Sequence, residues 1–269
     1  MSDILLSARE LSVRFGGVLA VNQVSFDVHQ GEVFTLIGPN GAGKTTVFNL
    51  ISRIYTPTAG YLTFKGQRLS DMPAHQVAGM GIARTFQNIE LFEHASVLKN
   101  LLIGRHVHTQ TSLWQQLLFT SSVRQAEIQT RRKVEEVIDF LDLQKYRDTL
   151  VAGLPYGIRK VVELARALCT EPQLLLLDEP SSGLNVEETA DMAFWIQDIQ
   201  KDLGITVLMV EHDMSLVSKV STRVLAMNQG QVLAVGTAAQ VQSDPAVVEA
   251  YLGGSFDATA FKRDSGAKA

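Results

Sequence analysis

Gly38-Pro39-Asn40-Gly41-Ala42-Gly43-Lys44-Thr45 is a complete G-x-x-x-x-G-K-[ST] loop, and it sits where such a loop must sit. Before it runs Glu32-Val33-Phe34-Thr35-Leu36-Ile37, rich in β-branched and aromatic residues, which reads as a strand. After it runs Thr46-Val47-Phe48-Asn49-Leu50-Ile51, which reads as a helix. Glycines let the backbone curl so that successive N–H groups point inward at phosphate oxygens. The start of the helix adds its partial positive charge. Lys44 brings a full charge to the β- and γ-phosphates, and the Thr45 hydroxyl is placed to ligate Mg²⁺. Pattern and strand–loop–helix context together favour a nucleoside triphosphate site over a glycine-rich surface turn.

The 269 residues suffice for one large α/β domain or a core with a substantial insertion, and an apolar fraction of 46% supports a full core. Lys and Arg number 24 against 28 Asp and Glu, a net charge of −4 with no long basic run, which speaks against nucleic acid as a partner. The single cysteine, Cys169, excludes an internal disulfide and fits a reducing compartment. It lies in the helical apolar pattern Val161–Cys169, so a small buried core residue is a better reading than a reactive thiol. No segment approaches the roughly 20 apolar residues that span a bilayer. The amino terminus lacks the basic-then-apolar layout of a secretion signal. The expectation is a cytoplasmic protein, peripheral on the inner face of the cell membrane.

The first thirty residues alternate. Leu11, Val13 and Phe15 are expected to face one way, Gly16-Gly17 turns, and Val24, Phe26 and Val28 continue the period of two, an antiparallel β pattern. Tyr61–Phe64 followed by Lys65-Gly66 adds a strand and turn to the same layer. From about Pro73 to Leu168 the pattern predicts mostly helix, clearest at 124–143, where Val134, Val137, Ile138 and Leu141 form one apolar stripe. His106 to Ser122 reads as a short helix flanked by loops. Two apolar runs, Leu174–Leu177 and Ile205–Val210, bracket a helical stretch from Val186 to Leu203, the mark of a buried parallel sheet. Arg223–Met227 and Val232–Val235 read as a closing hairpin around Asn228-Gln229-Gly230.

Leu174-Leu175-Leu176-Leu177-Asp178-Glu179-Pro180 is an apolar strand ending in two acids. A buried parallel strand delivers the residues at its carboxyl end to the ligand crevice. There Asp178 can hold Mg²⁺ and Glu179 can reach the water that attacks the γ-phosphate. A strand followed by a solvated acidic turn is the bland alternative, and the phosphate loop in the same chain weighs against it. His212 follows the next strand and opens on the same sheet edge, which favours a γ-phosphate contact over a structural role.

Together these residues resemble the ATP-binding cassette ATPases of membrane transporters, from about Ile4 to Gly253. Gly38–Thr46 (Gly38, Pro39, Asn40, Gly41, Ala42, Gly43, Lys44, Thr45 and Thr46) matches the first Walker motif and Leu174–Glu179 the second. Gln87, in Arg84-Thr85-Phe86-Gln87, is similar to the loop glutamine that senses Mg²⁺. Phe15 matches the aromatic that stacks on adenine, although a core strand role stays open. Leu154-Pro155-Tyr156-Gly157-Ile158 matches the signature that closes over the ATP of the opposite protomer, and Ser182-Gly183-Leu184-Asn185 the loop crossing that interface. Asn185 with Glu188 also fits a helix capping box.

Arg14-Phe15-Gly16-Gly17, Arg84–Asn88, Glu211-His212-Asp213-Met214 and Ala250-Tyr251-Leu252-Gly253 are similar to the ATPase subunits of branched-chain amino-acid importers. The resemblance implies an α/β P-loop NTPase, with a RecA-like parallel core, an antiparallel β subdomain and an inserted helical subdomain. It implies one cassette over 4–253, with core and β layer at about 4–87 and 170–236, a helical subdomain at about 88–165, and a flexible tail at 254–269. It implies ATP and Mg²⁺ as cofactors, with Thr45, Gln87 and Asp178 positioning the metal and Glu179, Gln87 and His212 serving hydrolysis. The implied partners are integral-membrane permease subunits docking near 88–102, a second identical or distinct ABC ATPase, and indirectly an external solute-binding protein. Urea, short amides and aromatic acids are alternative cargoes. Lipid extraction and a non-transport role on ribosomes or damaged DNA are rival functions. The usual signature is Leu-Ser-Gly-Gly-Gln; here Pro155 has neither hydroxyl nor backbone N–H to offer, and Ile158 replaces a polar residue. The expectation is a weakened composite ATP site, with the dipole of a helix beginning near Ile158 left to contribute.

Overall fold

The computed structural model describes residues 3–108 and 121–252. The expected helix within His106–Ser122 therefore lies largely outside the described residues, as does the tail from Gly253. The chain forms two compact units, Met1–Val77 with Leu176–Ala269, and Ala78–Leu175.

In the first unit β1 (Ile4–Phe15) and β2 (Val18–His29) form a long antiparallel hairpin, with Leu11 opposite Val24 and Val13 opposite Val21. Leu11, Val13, Val24, Phe26 and Val28 are buried, as the period of two requires. Phe15 departs from that expectation, being 44% exposed at the hairpin end. β3 (Val33–Ile37) leads through the glycine-rich loop into α1 (Lys44–Ile51). β4 (Ala59–Phe64) pairs with β1, and β5 (Gln67–Arg68) completes a sheet in the order β2-β1-β4-β5.

The mostly helical pattern expected from Pro73 onward fails at its start. Ala74–Gln76 and Ala78–Met80 are single 3₁₀ turns, followed by β6 (Ile82–Arg84). Gly81 at φ +96° cannot continue a helix, and its carbonyl accepts the N–H groups of Gln173 and Leu174. Among the described residues of the second unit are the helices α2 (Val97–Gly104), α3 (Ser121–Phe140) and α4 (Tyr156–Leu168). α3 buries Val134 and Ile138 and stops before the expected Leu143, because Asp142 turns left-handed at φ +54°. α4 begins at Tyr156, earlier than Ile158, with Pro155 (φ −54°) in the capping position. Proline is tolerated at a helix start because the N–H it lacks would have no intrahelical partner there.

β7 (Leu174–Asp178) carries the chain back into the first unit. α5 (Val186–Lys201), β8 (Thr206–Val210), α6 (Met214–Val220), β9 (Arg223–Asn228), β10 (Gln231–Gly236), α7 (Ala238–Ser243) and α8 (Pro245–Leu252) follow. The strands lie in the order β10-β9-β3-β8-β7, with β3 parallel to both β8 and β9. Every residue of β3, β7 and β8 is buried, which is why those segments read as unbroken apolar runs. β9 and β10 close on a tight turn at Gln229 (φ +46°) and Gly230 (φ +79°).

Candidate functional site

Three strands end on one edge of the first unit. β3 ends in the glycine-rich loop, β7 in Asp178-Glu179, and β8 in Glu211-His212. A cavity of about 470 Å³ opens there, lined by residues 18–20, the loop 40–46, Glu179 and Gln229. Glycine is required at two points of the loop. Gly38 has φ +150°, and a Cβ there would lie 2.2 Å from the Met227 carbonyl oxygen. Gly43 has φ +99°, and a Cβ would lie 2.6 Å from the Ala20 oxygen. The loop therefore curls tightly between β2 and the β9–β10 turn, and the Gly230 N–H donates to the Ala42 carbonyl.

Lys44 is buried beneath the loop, donating to the carbonyls of Gly38 (2.6 Å) and Pro39 (3.1 Å). Burial lowers its pKa, and the negative charges of Glu179 and Asp178 oppose that shift. The lysine and both strand-end acids thus share one electrostatic neighbourhood. Asp178 is buried at the end of β7 while Thr45 is exposed to the cavity. A hydroxyl and a carboxylate are hard oxygen donors, a set suited to Mg²⁺ held jointly with phosphate oxygens. No cluster of three or more His, Cys, Asp or Glu that could hold a metal occurs among the described residues. An ion shared with a nucleotide needs none.

Glu179 has φ +49°, a left-handed conformation that is unusual for a residue with a side chain. Its N–H donates to the Val210 carbonyl (2.9 Å), fastening the end of β7 to the end of β8. His212 Nδ1 lies 3.9 Å from Glu179 Oε2, so the two residues that were expected to serve hydrolysis do face each other. Asn185 caps α5 in a full capping box with Glu188.

Other expected site residues stand apart from the cavity lining. Phe15 packs edge-to-face on Tyr55, with ring centroids 4.9 Å apart, and so is not a core residue. Gln87, Leu154, Pro155, Tyr156 and Gly157 belong to the second unit. There Gln87 is exposed, and its loop is anchored from α4: Lys160 donates to the Gln87 carbonyl (3.3 Å), Arg166 to the Glu90 carbonyl, and the Phe86 N–H to Glu163 (3.3 Å). Burial raises the pKa of Glu163, opposed by the Phe86 N–H and the charges of Lys160 and Arg166. Leu154 and Gly157 are buried, whereas Pro155 and Tyr156 are exposed. A smaller cavity of about 180 Å³ in the same unit is lined by Asn88, Ile89, Leu91, Glu93, Val151, Tyr156 and Arg159.

Sequence reasoning missed two residues beside the phosphate loop and its neighbours. Tyr251, on α8, is buried with its hydroxyl pushed up to about 12, an effect that the Gly38 N–H opposes. Glu211 is wholly buried where β8 ends. Both lay in quoted phrases of the sequence, but nothing in their spacing announced a contact with distant loops.

Comparison with known proteins follows the same lines. The family model described as ABC transporter matches residues 21–182, and that described as branched-chain amino acid ATP-binding cassette transporter matches residues 231–257. The chain is 41% identical over 253 residues (94% of this chain, 99% of the relative) to the high-affinity branched-chain amino acid transport ATP-binding protein LivG of Escherichia coli K12. It is 39% identical, with the same coverage, to the corresponding protein BraF of Pseudomonas aeruginosa. Among solved structures, the ADP conformation of MJ1267, an ATP-binding cassette of an ABC transporter, superposes with a TM-score of 0.81 at 29% identity, covering 94% of this chain and 100% of that one. The dimeric cassette MJ0796 shares the fold at 20% identity, with a TM-score of 0.73 over 87% of this chain and 99% of that one.

Proposed function

This chain belongs to the ABC transporter family of ATP-binding cassettes, and from that premise we propose that it is the ATPase motor of an importer for branched-chain amino acids. The observation that carries the reading is the cavity at the sheet edge, which gathers the 40–46 loop, Lys44 and Glu179. The loop amides and Lys44 hold the β- and γ-phosphates of ATP. Thr45 and Asp178 would hold Mg²⁺, which would supply charge neutralisation at those phosphates. Glu179 orients or deprotonates the attacking water, and His212 stabilises charge developing on the γ-phosphate. Phe15, with one side on Tyr55, offers its exposed surface to the adenine. Gln87 is assigned to the metal by resemblance alone.

Two such cassettes sandwich two nucleotides, the second ATPase being an identical or distinct subunit. Leu154, Pro155, Tyr156 and Gly157 face the partner's nucleotide. Closure moves permease subunits between inward- and outward-facing states. The groove lined by Asn88, Leu91, Tyr156 and Arg159 is where a permease segment docks, since it joins the glutamine loop to the start of α4. Among the described residues no helix is long and apolar enough to cross a membrane, in keeping with a motor that leaves the membrane path to other subunits.

The test pairs binding with transport. Glu179→Gln should bind ATP normally by calorimetry yet hydrolyse it about 10²–10⁴-fold more slowly, the usual worth of a general base. Cells carrying it should lose uptake of labelled leucine. Near-normal hydrolysis would end the assignment of the base. Hydrolysis lost while leucine uptake persists, with uptake of urea, amides or aromatic acids failing instead, would move the cargo.

A further inference from the structure

Glu211 is the residue to which the loops after β7 and β8 are both tied. Its backbone N–H donates to the Leu36 carbonyl (3.2 Å), fixing it beside the end of β3. Its carboxylate is wholly buried and accepts four hydrogen bonds. Oε1 takes the Ser181 N–H (2.9 Å) and the Ser181 hydroxyl (2.6 Å). Oε2 takes the N–H groups of His212 (2.7 Å) and Asp213 (3.0 Å). Only an acceptor on both oxygens can satisfy four donors in this arrangement. Bonds to a buried charged group are stronger than neutral ones, and leaving such donors unmet is costly.

The two sides of that carboxylate matter for different reasons. Ser181 lies two residues beyond Glu179, whose left-handed backbone (φ +49°) persists only if its surroundings enforce it. The loop carrying Glu179 is anchored before the turn by its own N–H on Val210 and after the turn by Ser181 on Glu211. On the other side, Oε2 fixes the backbone of His212 and of Asp213, and Asp213 caps α6 through Ser215 (2.8 Å). Ser181 also immediately precedes the Ser182–Asn185 loop.

We propose that Glu211 is a positioning residue for ATP hydrolysis: its carboxylate holds Glu179 and His212 in one register across the gap between β7 and β8. This rests on the reading in which Glu179 and His212 serve the chemistry. Because none of the carboxylate's hydrogen bonds among the described residues goes to the glycine-rich loop or Lys44, it governs turnover and leaves nucleotide affinity alone.

The experiment uses the full-length protein, with ATP affinity by calorimetry, hydrolysis by phosphate release and melting temperature measured for each variant. Glu211→Gln keeps the shape but turns an amide NH₂ towards two donors. We expect kcat to fall about 10- to 100-fold, the worth of about one charge-assisted bond, with KM and Kd for ATP within a factor of about two. Adding Glu211→Gln to Glu179→Gln should lower the residual rate far less than it lowers the parent rate, because the first change acts through the second residue. An unchanged kcat in Glu211→Gln, a parallel loss of ATP affinity, or a fully additive double variant would each overturn the proposal. Near-normal hydrolysis in Glu179→Gln would instead overturn the underlying reading, and the proposal with it. Should Glu211→Gln not fold, Ser181→Ala removes only the 2.6 Å hydroxyl bond; a kcat lowered several-fold at constant Kd supports the proposal, and unchanged turnover refutes it.

Discussion

Glu179 carries a conformational cost that can be measured separately from its chemistry. At φ +49° an L-residue pays about 1–2 kcal/mol that glycine does not. Elsewhere glycine is the less stable choice against alanine, by about 0.5–1 kcal/mol, because it loses more backbone freedom on folding. The two terms oppose each other at this position, and the left-handed cost is the larger. Glu179→Gly should therefore be more stable than Glu179→Ala by about 0.5–1 kcal/mol, the reverse of their order at an ordinary site. For a domain of this size that corresponds to a rise in melting temperature of about 1–4 °C. Both variants lack the carboxylate, so both should have lost about 10²–10⁴-fold in hydrolysis, and comparing them cancels the side chain. Urea titrations without nucleotide, followed by circular dichroism, give the difference if the two slopes agree. An alanine variant as stable as the glycine variant would refute the reasoning, since it would mean that the strand-end turn relaxes once Glu179 is removed.

Lys44→Ala should abolish measurable ATP binding by calorimetry, because it removes the only full positive charge within the loop; wild-type affinity would contradict the phosphate assignment. Gly43→Ala forces a Cβ to 2.6 Å from the Ala20 oxygen at φ +99°, so stability should fall by about 2–4 kcal/mol, read from denaturant midpoints, and ATP affinity should fall with it. Cys169 is buried, and burial pushes its thiol up to about 12, so at pH 8 it should stay protonated and resist alkylation until denaturant is added. Since that pKa is raised from 9.0, the thiol is neutral in both states below pH 9 and contributes nothing to pH dependence there. Above pH 9 the unfolded chain ionises first, and stability should decline. Restoring Pro155→Ser with Ile158→Gln should tighten ATP-dependent association of the cassettes, measured by light scattering; no tightening would remove the altered signature as a cause of weakness.

The amino-acid order alone determined what short-range rules can express. The phosphate loop was legible because glycine spacing, a lysine and a hydroxyl act within eight successive residues. The buried strands β3, β7 and β8 were legible because a sheet covered on both faces needs unbroken apolar runs. The Asn185–Glu188 box was legible because both of its bonds close within three residues. Tertiary structure decided what depends on neighbours distant along the chain. The spacing placed Phe15 with Leu11 and Val13, but only packing on Tyr55 shows that its ring stays half-open. The helical pattern after Pro73 gave way to 3₁₀ turns and a strand, because Gly81 accepts pairing from residues 173 and 174, which no local window contains. Glu211 is one more acid beside a histidine when read in order. Ser181, which supplies two of its four donors, lies 30 residues away in the sequence, and folding alone brings such segments to a common edge.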